Sequence, residues 1–105
     1  MVESAIAMLM LVAAPNAMKE NREAYAKCLK DVVRTSIDKK VDSAAFGTTL
    51  ATACKDKEQA LKASLLAADA AIGLKRAASE KISEEQIADY RLMAKEDFEA
   101  APKEP

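Results

Sequence analysis

The sequence has no histidine and no tryptophan, and it holds only two glycines, three prolines, two cysteines, two tyrosines and two phenylalanines. Each shortage removes a class of chemistry. Without histidine there is no Ser-His-Asp or Cys-His machinery, no histidine-ligated haem and no zinc site of the usual kind. Two glycines cannot build a phosphate-cradling loop or a dinucleotide fingerprint. The aromatic residues Tyr25, Phe46, Tyr90 and Phe98 are too few for a base-stacking platform, and a net charge of -1 lacks the basic footprint of a nucleic-acid binder. Cys28 and Cys54 lie too far apart for a CxxC redox motif or a CxxCH haem attachment. The sequence therefore predicts no enzyme, no cofactor, no metal, no small-molecule ligand and no nucleic-acid partner.

What is present is helical. Alanine supplies 23 of the 105 residues, the hydrophobic class is 50% and charged residues are 31%, with few alternating β-branched runs. The length suits one domain.

The segment "AIAMLMLVAAPNAMKEN", residues 5–21, opens the chain with an uncharged run from Ser4 to Ala14. At roughly 10 apolar residues it matches a signal-peptide core, whereas a membrane span needs ~20. Residues 1–17 are read as a signal peptide, with Ala17 at the cleavage point. Glu3 in the first residues and Pro15 near that point depart from the usual pattern. The competing reading retains residues 1–17 as an apolar helix in a cytoplasmic protein. Export places the mature chain in the periplasm or outside the cell, with no membrane span.

Residues 18–101 are predicted to form an all-α domain of three helices, and residues 102–105 a disordered tail. Tyr25, Cys28, Leu29, Val32, Val33 and Ile37 mark one apolar stripe over 19–38. Asp42 or Ser43 caps a second, long central helix running to about residue 81. Its stripe is Phe46, Leu50, Cys54, Leu61, Leu65, Ala68 and Ile72, with Gly73 as a kink site. "SEEQ" reads as a capping box that opens the third helix at Ser83, with Ile87, Tyr90, Met93, Ala94 and Phe98 as its stripe.

If the first helix folds back on the second about a turn near residue 41, residues whose numbers sum to about 82 lie level, as in an antiparallel αα-hairpin. Cys28 and Cys54 satisfy that register and both fall on apolar stripes. A Cys28–Cys54 disulfide is expected over two free thiols, and a core this thin is expected to need the staple. Folding the third helix back about residue 82 would set Ile72 near Leu92 and Leu66 near Phe98. Leu61, Leu65, Leu74 and Met93 would then be incompletely covered, a candidate surface for a protein partner or a homodimer. A tilted three-helix bundle that covers itself is the other arrangement. Asp89, Glu96, Asp97 and Glu99 read as a solvated face rather than a cation site. An enzyme using carboxylates with Lys75 or Arg76 has no convergent motif behind it.

The residues "AYAKCL", "ATACKDKEQALKASLLAADAAIGLKRAASE" and "QIADYRLM" resemble short secreted helical proteins of Alphaproteobacteria, a group without an assigned activity. That resemblance spans most of residues 24–93, is clearest at the two cysteines and at Asp89–Tyr90, and implies export and a helical disulfide hairpin. "ISEEQ", residues 82–86, is similar to the LTxxQ motif of periplasmic chaperones of the Spy and CpxP type, with Ile for Leu and Ser for Thr and one copy where those proteins have two. The capping box accounts for Ser83 and Gln86 without a shared function.

Overall fold

The computed structural model describes residues 14–102. Most of the expected export segment, residues 1–13, and the last three residues of the tail lie outside the described residues. Four helices and no strand are present among the described residues: α1 Ala14–Asp38, α2 Ser43–Ala53, α3 Lys55–Ala71 and α4 Arg76–Ala100. The fold is all-α, as expected. Helix α1 is one arm, α2 and α3 together form the second, and α4 is the third.

The first hairpin matches its sequence-based register. Tyr25, Leu29, Val33 and Ser36 recur every three or four residues along α1 and are buried. At the end of α1, the Lys40 amide donates to the Ile37 carbonyl and the Val41 amide to the Ser36 carbonyl, a Schellman closure with Lys40 left-handed at φ 55. Asp42 then caps α2, its carboxylate accepting from the Ala45 amide at 2.7 Å. Cys28 and Cys54 are joined by a disulfide with their Cα atoms 6.0 Å apart.

The second arm departs from expectation twice. It is interrupted at Cys54, whose φ and ψ of -112° and 25° end α2 and whose carbonyl accepts the Glu58 amide that starts α3. It also ends at Ala71 rather than near residue 81. The Gly73 amide donates to the Ala70 carbonyl and the Leu74 amide to the Asp69 carbonyl, with Gly73 left-handed at φ 85. This is the closure seen after α1, so Gly73 terminates a helix instead of kinking one. Residues 81–83 consequently lie inside α4. Ser83 is no cap: it is fully buried, and its hydroxyl donates to the Glu80 carbonyl at 2.9 Å.

The early turn resets the pairing between α3 and α4. Asp69 meets Ser79, Lys62 meets Glu84 and Glu58 meets Arg91 across an antiparallel pair. Phe98 stacks on Phe46, with ring centroids 4.1 Å apart and planes at 2°. The expected pairings of Ile72 with Leu92 and Leu66 with Phe98 are therefore replaced. Each arm packs on the other two, α3 on both α1 and α4, which gives a three-arm bundle with Leu61 and Leu65 in its core.

The two closures make opposite predictions. A Cβ at Gly73 meets no described atom within 4 Å, so Gly73→Ala is expected to cost about 1 kcal/mol through backbone strain alone. Lys40→Gly relieves the corresponding strain and is expected to stabilise by roughly 0.5 kcal/mol after the larger unfolded-chain entropy of glycine is counted. Thermal denaturation of both variants checks the pair. Equal signs would be inconsistent with a shared left-handed requirement.

Candidate functional site

Three arrangements bear on function: a partly buried polar cluster built on Tyr25, a groove beside the disulfide, and apolar side chains on the outside of α4. The polar cluster joins all three arms. Tyr25 of α1 donates its hydroxyl to Glu58 Oε1 of α3 at 3.3 Å, and Arg91 of α4 donates to the same oxygen. Tyr90 sets its ring edge-on to Tyr25, with centroids 5.5 Å apart. Burial, followed by the negative charge of Glu58, pushes the Tyr25 phenol up to about 12, while Arg91 acts in the opposite direction. Arg91 Nε is buried without a hydrogen-bond partner among the described residues.

Nearer the α3–α4 turn, Ser79 donates to Asp69 Oδ2 at 2.7 Å. Asn21 Nδ2 donates to the Ala60 carbonyl at 3.2 Å and to Ser64 Oγ at 2.5 Å. These bonds satisfy polar groups that the helices bring inside, and they fix which arm neighbours which.

A surface groove of about 510 Å³ runs beside the disulfide, lined by Cys28, Lys27, Asp31, Thr49 and Lys57 among others. Cys28 is partly exposed at its wall, whereas Cys54 is only 4% exposed. A second groove, about 800 Å³, lies at the far end of the bundle between the α1–α2 turn and the end of α4.

The expected interaction residues separate. Leu61 and Leu65 are core, at 0% and 4% exposure, because α4 starts early enough to cover the second arm. Leu74 is half-buried in the turn. Met93 is 60% exposed, and Leu92 beside it is 53% exposed. Ile72 and Ile82 are also exposed. Met93 and Ile82, eleven positions apart on α4, lie on nearly the same side of the helix.

The remaining residues singled out in the sequence do not converge. Asp89, Glu96, Asp97 and Glu99 are exposed, and no group of three or more potential metal ligands occurs among the described residues. Lys75 is exposed, and the Arg76 guanidinium is engaged by Glu80 at 3.0 Å. "ISEEQ" lies within α4, with Ser83 inward and Ile82 partly outward. No helix of the described residues is long and apolar enough to cross a membrane.

Sequence reading missed the Tyr25–Glu58–Arg91 cluster. Its signal was present: Glu58 precedes Leu61 and Leu65 by three and seven positions, on the face that α3 buries. Searches against protein-family models, curated proteins and solved structures found no match.

Proposed function

We propose that this chain is an exported, non-enzymatic helical protein that acts by binding another protein or a second copy of itself through the outer face of α4. The observation that carries the reading is the exposure of Ile82, Leu92 and Met93 on one 25-residue helix whose opposite face is packed. Large apolar side chains on a charged, water-facing helix gain by being covered, and polar neighbours such as Asp89 and Glu85 supply a rim. The Cys28–Cys54 bridge supports an oxidising compartment, since such bonds persist there and are rare in the cytosol of mesophiles. The absence of histidine and of glycine-rich loops supports a role outside catalysis.

Light scattering of the purified protein, together with pull-down from a periplasmic fraction, tests the binding role. A dimer mass or a retained protein partner is expected, and replacing Leu92 and Met93 with Glu should abolish it with the melting temperature unchanged. A monomer that retains no partner would sink the proposal. Intact mass of the protein from its own cell tests export: the chain should have lost its first 17 residues and two cysteine protons. Retention of residues 1–17 with free thiols would instead establish the cytoplasmic reading.

A further inference from the structure

We propose that the Cys28–Cys54 disulfide is a redox latch for α2, opened from the Cys28 side by a dithiol reductant. The inference is independent of the partner-binding reading. It rests on how unevenly the chain is anchored. Of the 11 residues of α2, only Phe46 is buried. Leu50 is half-covered, and the remaining positions are exposed Ala, Ser, Thr and Gly. Gly47, Thr48, Thr49 and Thr52 are weak helix formers, so α2 has little intrinsic stability to add. Its docking therefore depends mainly on its two ends, the Phe46–Phe98 stack near the start and the Cys54 bridge immediately after Ala53, with half-covered Leu50 against the core between them. The other helices carry their own buried anchors, Tyr25, Leu29 and Val33 in α1, Leu61 and Leu65 in α3, and Ile87 and Ala94 in α4.

The bridge also sits where the second arm is already broken. Cys54 interrupts the helix, so releasing it uncouples α2 from α3 without unwinding a continuous run of helical hydrogen bonds.

Geometry sets the direction of attack. Cys28 lines the open groove while Cys54 is buried; of the charges in that groove Lys27 pairs with Asp31 at 3.6 Å, and Lys57 favours an approaching thiolate. A thiolate of the reductant bonds to Cys28 Sγ and the Sγ–Sγ bond breaks, so that Cys54 leaves as a thiolate at the N-terminus of α3 and takes up a proton. The second thiol of the reductant then attacks its own sulfur in the mixed disulfide and releases Cys28 as a thiolate, which is protonated. The reductant becomes a disulfide, and two electrons and two protons have passed to the protein.

Hydrogen–deuterium exchange of the full chain, before and after reduction with dithiothreitol, tests the latch. Amides of residues 43–53 should exchange at least about tenfold faster after reduction, while the buried stretches of α1, α3 and α4 keep their protection. A Cys28→Ser/Cys54→Ser double variant should reproduce the reduced pattern without reagent. Loss of protection throughout the bundle, or unchanged exchange in 43–53, would overturn the proposal. In a second arm, the monothiol glutathione makes the first step, rapid alkylation caps the released cysteine before it can re-attack the mixed disulfide, and peptide mass mapping locates the adduct. The adduct is expected on Cys28 with Cys54 alkylated; an adduct on Cys54, an even split, or no adduct would overturn the assigned side of entry.

Discussion

Leu61→Ala is expected to lower the unfolding free energy by about 3 kcal/mol, near the middle of the range for truncating a buried leucine. The side chain is fully enclosed where the three arms meet, so its removal takes away dispersion contacts from every side and leaves a cavity that rigid helices fill poorly. A domain of this size has roughly 5–10 kcal/mol of total stability, and the loss should be plain in a urea titration. The matched control is Met93→Ala, which removes a side chain already 60% exposed and should change stability by less than about 0.5 kcal/mol. If the two variants lose similar amounts, α4 does not cover the second arm and the placement of the turn at Gly73 is wrong.

The second large effect belongs to high pH. Tyr25 has its ordinary value of 10.0 in the unfolded chain and about 12 in the fold, raised first by burial and then by Glu58. Below pH 10 both states hold the proton and its contribution is whole. As pH rises through that value the unfolded phenol ionises while the folded one stays neutral, so the unfolded state binds fewer protons and stability falls. The fall continues to about pH 12 and amounts to roughly 2–3 kcal/mol, two pK units at about 1.4 kcal/mol each. Tyr25→Phe removes this slope. At neutral pH the variant should be weaker by about 1 kcal/mol, for the lost hydrogen bond to Glu58, and above pH 11 it should be the more stable protein. Denaturant titrations of both proteins from pH 8 to 12 would show the crossing. Parallel curves would mean that Tyr25 titrates alike in both states and that the cluster is looser than described.

The first hairpin was readable because its signals agree. The stripe through Tyr25, Leu29 and Val33, the Asp42 cap and the level placement of the cysteines all indicate one turn near residue 41. The second turn was misplaced because its signals conflict. Gly73 followed by Leu74 is a helix stop, but no proline follows it, and the apolar spacing Leu61, Leu65, Ala68 continues in the sequence to Ile72, just past the end of α3. The core face of α4 then begins with Ser79 and Ser83, which hydropathy assigns to the surface, while "SEEQ" offers a plausible but unused cap. These hydroxyls can be buried because each has a partner, Ser79 donating to Asp69 and Ser83 to the Glu80 carbonyl. The polar cluster was harder to see, since nothing in the spacing of Glu58 and Arg91 shows that two charged residues on different helices meet in a partly buried pair.

The bridge between Cys28 and Cys54 also governs how far the molecule stretches under load. Tension applied at the two ends bypasses the closed ring, because the force crosses directly from one sulfur to the other. The 26 residue steps between the cysteines stay slack. At 3.3–3.6 Å per step, roughly 90 Å of chain is withheld from the fully extended length. Helix α4 lies outside the ring and bears the pull, while α2 lies wholly within it and is unloaded even when the rest of the bundle has been drawn straight.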